Sequence, residues 1–127
     1  LAVADLPNAW NEKYESYLGI RPDTDAEGVL QDIHWSGGAI GYFPTYALGN
    51  LYSAQFFAKC EEDLSDLETQ IANCQFDAFR HWLQSKIHQH GQCYSAGELV
   101  ERVTGKPLTH RYLMDYLKTK AMEVYRL

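Results

Sequence analysis

Apolar residues recur at helical spacing along most of the chain, and no segment alternates apolar and polar positions as a half-buried strand would. Trp10, Tyr14 and Leu18 stand four apart behind Asp5 as an N-cap and Pro7 in the first turn, with Gly19 as terminator. They predict a short amphipathic helix. Beyond Pro22, Thr24 and Glu27 have the spacing of a capping box and predict a brief helix through Val29 and Leu30 toward Asp32 and Ile33. Leu64, Leu67, Ile71 and Cys74 form one apolar face, and Phe76, Phe79, Leu83 and Ile87 another, as expected of two surface helices packing inward. Ser95 with Glu98 makes a second capping box, Leu99, Val100 and Val103 supply its stripe, and Gly105 with Pro107 stops it. A last helix is expected from about Thr109, carrying Tyr112, Leu113, Tyr116, Leu117, Ala121 and Tyr125, with Lys118, Lys120 and Arg126 toward its end. The expected fold class is all-α. With no repeat, low-complexity tract or Gly/Ser linker, residues 1–127 read as a single helical domain.

One segment departs from this pattern. From Ile33 to Ala58 there is no Asp, Glu, Lys or Arg, an uncharged run of 26 residues rich in aromatic side chains. Gly37, Gly38, Gly41, Pro44, Gly49 and Asn50 interrupt it too often for a membrane span. The better physical reading is a Ser-Gly-Gly loop at 36–38 followed by a helix from about Gly41 to Lys59. That helix is apolar nearly all round and is expected to be buried on most sides.

Composition narrows the functional classes. A charged fraction of 22% and an apolar fraction of 46% suit an ordinary globular chain rather than a disordered one. Eleven basic residues against seventeen acidic give a net charge of -6, which leaves little with which to neutralise phosphates and argues against a nucleic-acid partner. Cys60, Cys74 and Cys93 form neither a CxxC pair nor a disulfide framework, read as core residues, and favour a reducing, cytoplasmic setting. Leu1 is not an initiator methionine, and LAVADLPNAW lacks the pattern of a signal peptide, so the chain reads as beginning mid-sequence.

Most candidate chemistry has an ordinary structural alternative. No His-Glu-x-x-His pair is present; the nearest metal-like cluster, His88, His90 and Cys93, also fits a frayed helix end. No GxSxG elbow marks a nucleophile. Glu61, Glu62 and Asp63 are expected to open a solvated helix and complement its N-terminal dipole. Residues 28–50 resist such an account, because they gather Gln31, Asp32, His34, Trp35, Tyr42 and Tyr46 beside a glycine loop. Polar groups in an otherwise uncharged stretch must find hydrogen bonds, whether in the structure or in a site.

The pattern Gly28-x-x-Gln31-Asp32-x-His34-Trp35, the SGG loop, and Gly41-Tyr42-Phe43-Pro44-Thr45-Tyr46-Ala47-Leu48-Gly49-Asn50-Leu51 closely resemble the C-terminal region of the Taq-type thermostable metallocarboxypeptidases. Weaker resemblance extends through AWNEKYESYLGIRP, HWLQSKIHQHG and ELVERVTGKPL. The resemblance implies a much longer parent: a cytoplasmic, largely helical zinc peptidase, usually dimeric, that releases single amino acids from peptide C-termini. It implies that the Zn2+ ligands lie upstream, so that this chain holds no metal and is inactive alone. It also implies catalytic roles for Tyr42, as donor to the oxygen that becomes negative during attack, and for His34, by analogy with helical zinc peptidases such as angiotensin-converting enzyme. Gln31, Asp32 and Trp35 then shape the substrate cleft or orient His34. The Ile20-Arg21-Pro22-Asp23-Thr24-Asp25 stretch is similar to the family's Ile-Arg-x-x-Ala-Asp motif, but threonine replaces alanine and that motif belongs upstream. Arg21 is therefore read as a turn residue with an ion pair.

The expected function is thus the C-terminal portion of a zinc metallocarboxypeptidase, with peptide substrate, the upstream part of the same enzyme and a second copy as partners, and no nucleic acid or membrane. The alternative is a stand-alone helical interaction module whose uncharged aromatic segment forms an interface. An isolated chain with upstream partners missing is expected to self-associate through that segment.

Overall fold

The computed structural model describes residues 1–127 and contains helices and turns without a strand. Backbone contacts divide it into two compact units, Leu1–Pro44 and Thr45–Leu127.

In the first unit, helix α1 (Leu6–Leu18) has Pro7 in its first turn and closes on Gly19, which adopts the left-handed conformation at φ 70°. Asp5 does not cap α1 with its side chain; its carboxylate instead accepts the Ala2 N–H, tightening the preceding turn. Arg21 pairs with Glu15 at 3.0 Å on the surface. The Glu27 N–H donates to Thr24 Oγ1, as in a capping box, but the Glu27 carboxylate accepts the Thr24 hydroxyl rather than its backbone N–H, and the pair closes a turn rather than opening an α-helix. The reason is local: the chain continues only into a single 3-10 turn, Val29–Gln31, before Asp32 becomes extended. Gly28 is buried there, and a Cβ on it would lie 3.2 Å from the Asn11 side chain and 3.3 Å from Pro22, so a larger residue would need these neighbours to give way by a few tenths of an ångström. Helix α2 (Ile33–Ser36) follows as one turn.

In the second unit, helix α3 (Pro44–Asp63) starts later and ends later than the periodicity predicts. Proline suits the first position of a helix because its missing N–H would be unpaired there anyway. Glu61, Glu62 and Asp63 therefore close α3 instead of opening the next helix. At a helix C-terminus they oppose the dipole, and Lys59 offsets this by pairing with Asp63 at 2.8 Å and Glu62 at 3.3 Å. Helix α4 (Leu67–Ala72) is shorter than expected and leaves Leu64 and Cys74 outside it, whereas helices α5 (Asp77–Lys86), α6 (Ala96–Thr104) and α7 (Arg111–Tyr125) follow the expected pattern. The Ser95–Glu98 box is complete, and Gly105 ends α6 at φ 71°.

The core of this unit is Cys60, Leu67 and Trp82, packed by Phe56, Leu64, Ile71, Phe79, Leu83, Ile87 and Val103. The Trp82 ring N–H donates to Asp63 at 2.8 Å, so the acidic end of α3 is tied to α5. Gln55, 1% exposed, bridges α3 to the segment joining α6 and α7: its amide donates to Thr104 Oγ1 and to the Lys106 and Pro107 carbonyls, and its oxygen accepts the Thr109 N–H.

Two expectations fail here. Cys74 and Cys93 are exposed, and only Cys60 lies in the core. Helix α3 is not covered on most sides either: Gln55 and Cys60 are its buried residues, whereas Tyr46 and Leu48 stand in solvent. A helix apolar all round needs partners all round, and the elements of this chain supply them along only part of its surface.

Candidate functional site

Of the residues singled out in residues 28–50, His34 and Tyr42 gather with Asp32 in the first unit. Asp32 is the N-cap of α2, with extended backbone. Its Oδ1 accepts the His34 backbone N–H and faces the His34 ring Nδ1, both at 2.8 Å. The side chain is 8% exposed. Burial pushes its pKa up, but the His34 backbone N–H, the His34 ring by hydrogen bond and charge, and the Trp35 N–H outweigh that and hold the carboxyl below its ordinary value.

The Ser-Gly-Gly loop then reverses the chain. Gly38 donates to the Trp35 carbonyl, Ala39 to that of His34, and Tyr42 to that of Ala39. Gly41 sits at φ 82°, a left-handed conformation that an L side chain resists. This return lays Tyr42 on His34, with ring centroids 5.5 Å apart and planes 25° from parallel. Phe43 meets the same imidazole edge-on at 5.5 Å. His34 is thus held on three sides, by one carboxylate and two aromatic rings.

Gln31 and Trp35 are placed differently. The Gln31 amide donates to the Ala26 carbonyl, so it braces the preceding turn from an exposed position. Trp35 packs edge-on against Trp10 at 6.5 Å and borders an apolar groove of about 400 Å3 with Leu6, Tyr14, Tyr17 and Leu18. The Trp10 ring N–H is buried there without a hydrogen-bond acceptor.

The structure adds Phe43 and Trp10 to the residues around this site. Neither has a polar group that a search for chemistry would notice, apart from the indole N–H of Trp10. Their contribution is shape: Phe43 reaches the imidazole once the chain has reversed at Gly41, and Trp10 acts by packing against Trp35.

No group of three or more His, Cys, Asp or Glu side chains is gathered closely enough to hold a metal ion, His88, His90 and Cys93 included. No helix is long and apolar enough to cross a membrane. The site as folded is therefore a carboxylate, an imidazole and a phenol in contact, without a metal donor set.

An all-helical chain bearing this motif falls in the class of helical metallopeptidases. Residues 1–121 match the family described as Carboxypeptidase Taq (M32) metallopeptidase, and the chain belongs to that family. It is 46% identical over 127 residues to carboxypeptidase 1 of Bacillus subtilis and 47% identical over 125 residues to thermostable carboxypeptidase 1 of Thermus thermophilus. These matches take in 100% and 98% of this chain but 25% and 24% of the relatives. The crystal structure of an M32 carboxypeptidase from Deinococcus radiodurans superposes with a TM-score of 0.93 at 42% identity, over 100% of this chain and 26% of that one. The chain thus spans about a quarter of the length of the relatives it matches.

Proposed function

We propose that this chain supplies substrate-binding and transition-state groups to a metallocarboxypeptidase that removes C-terminal amino acids from peptides, with the metal, zinc on this reading, held by another part of the same enzyme. The observation that carries the reading is the Asp32–His34–Tyr42 arrangement, a hydrogen-bonded imidazole with a phenol stacked on it. When a peptide carbonyl is attacked, negative charge grows on its oxygen, and a hydroxyl aimed at that oxygen stabilises the charge more than it stabilises the starting amide. Tyr42 is assigned that hydroxyl, and His34 is assigned to hold the same part of the peptide. Trp35 shapes the wall beside them, and Gln31 fixes the turn that delivers Asp32. These residues themselves assemble no ligand set for a metal. On this reading the chain alone is inactive, the complete enzyme is cytoplasmic, and its partners are a peptide, the rest of the polypeptide and a second copy.

Exposure supports the dependence on further polypeptide. Ile33, Ile40 and Phe43 are 77%, 81% and 58% exposed, a large apolar display for three residues so close in sequence.

The test is Tyr42→Phe in the complete enzyme. Loss of one oxyanion donor lowers kcat by about 10²–10³, with little change in KM. A kcat close to that of the unmodified enzyme would remove Tyr42 from this role.

A further inference from the structure

We propose that Asp32 is the positioning residue of this site: it fixes His34 as the Nδ1-protonated tautomer, so that the ring meets substrate through Nε2. The inference takes from the preceding section only the idea that His34 meets substrate. The placement of the proton stands on geometry by itself.

An ionised carboxylate can only accept hydrogen bonds. Oδ1 of Asp32 lies 2.8 Å from the ring Nδ1 of His34, so that nitrogen must carry the hydrogen between them. A neutral imidazole has one N–H, and placing it on Nδ1 makes Nε2 an acceptor. The same oxygen takes the His34 backbone N–H at 2.8 Å, which ties the position of the carboxylate to the backbone of the residue it orients. Rotation of the ring away from Asp32 is opposed by Tyr42 stacked on it and Phe43 against its edge. Backbone cap and tautomer thus depend on one atom, Asp32 Oδ1, while the two aromatic rings help to hold the ring angle.

The chemistry at Nε2 follows. In the neutral state Nε2 accepts, and the complementary substrate group is a peptide N–H. Once protonated, Nε2 donates, and the complementary group is a carbonyl oxygen, with the Asp32 carboxylate balancing the imidazolium charge. A peptide backbone offers both groups one atom apart, so a ring anchored in this way suits a peptide better than a ligand with acceptors alone.

Two substitutions separate the cap from the ring contact. Asp32→Ser retains an oxygen able to accept the His34 backbone N–H, but it is too short to reach Nδ1 as well. Asp32→Asn retains an oxygen that can accept both. Long-range nitrogen–proton NMR of histidine-labelled protein, with His34 assigned by its loss in His34→Gln, reads which ring nitrogen carries the proton. The expected result is a protonated Nδ1 in the unmodified protein and in Asp32→Asn, and a shift toward a protonated Nε2 in Asp32→Ser. A protonated Nε2 in the unmodified neutral ring, or no change in Asp32→Ser, overturns the proposal. In the complete enzyme, Asp32→Ser added to His34→Gln should lower kcat no further than His34→Gln alone, because Asp32 acts through the ring; fully additive losses overturn it. If the NMR result is as expected but His34→Gln leaves kcat unchanged, the tautomer assignment stands and the catalytic role given to His34 falls.

Discussion

Gln55→Leu is the most demanding test of how the second unit is held together. The glutamine is 1% exposed, and leucine nearly conserves its volume, so the change removes hydrogen bonds without opening a large cavity. Four contacts are lost: from the amide nitrogen to Thr104 Oγ1 at 3.1 Å and to the Lys106 and Pro107 carbonyls at 3.3 and 3.1 Å, and from the Thr109 N–H at 3.0 Å. Thr104 Oγ1 keeps the Val100 carbonyl, to which it donates at 2.7 Å. The Lys106 carbonyl keeps the Thr104 hydroxyl at 3.1 Å, so the groups left without compensation are the part-buried Thr109 N–H, at about 1–3 kcal/mol, and the Pro107 carbonyl, at roughly 0.5–1.5 kcal/mol. The added apolar burial offsets about 1 kcal/mol. The expected destabilisation is therefore centred near ~2 kcal/mol. Urea unfolding followed by the fluorescence of Trp82, the only tryptophan of this unit, measures it, and the Thr109 amide should lose its protection from hydrogen exchange. A variant within about 0.5 kcal/mol of the unmodified protein, the range of neutral surface changes, would refute the view that this amide fastens the α6–α7 connection to α3.

Gly41→Ala should cost about 1–2 kcal/mol, since the residue sits at φ 82° with open space around it, and should weaken the Tyr42–His34 ring contact seen by NMR. Ring-current shifts unchanged from the unmodified protein would contradict this. Cys74 and Cys93 should react with a thiol reagent at neutral pH, whereas Cys60, whose thiol is pushed up to about 11 chiefly by burial, should be labelled only on unfolding. Early labelling of Cys60 in mass spectra of the folded protein would count against that core. The Asp63 carboxyl is held below its ordinary value, first by Lys59 and then by the Trp82 N–H, so its stabilisation is complete above the unfolded carboxylate pKa and disappears as pH falls through the lower folded one. Denaturation midpoints of Asp63→Asn should accordingly vary less across that acidic window than those of the unmodified protein; equal slopes would exclude the link.

Much of the fold could be read from local pattern. Helices α1, α6 and α7 each follow from signals within a few residues of their own ends: Pro7 and Gly19, the Ser95–Glu98 box with Gly105, and an apolar repeat after Pro107. The motif from Gly28 to Trp35 was equally legible, because residue types at fixed spacing survive without knowledge of what they touch. Other local signals were ambiguous. Thr24 and Glu27 have the spacing of a capping box but only the Glu27 N–H bond of one, and Glu61 to Asp63 look alike at either end of a helix, so only the path of the following chain separates the readings.

Tertiary structure decided what depends on distant residues. Whether a cysteine is core is settled by neighbours, and Cys60 has Leu67 and Trp82 where Cys74 and Cys93 have solvent. The role of Gln55 required knowing that Thr104 to Thr109 return to α3, a separation of about fifty residues that no local pattern records. The placement of Tyr42 on His34 and of Asp32 at the Nδ1 edge of the imidazole came from the reversal at Gly41 and the bonds of a single carboxylate oxygen. Sequence by itself determined which chemical groups were present and which backbone conformations their neighbours favoured, because propensity and spacing act over one or two turns. Which of those groups meet, and which apolar surface finds cover, is set by packing between segments far apart in the chain.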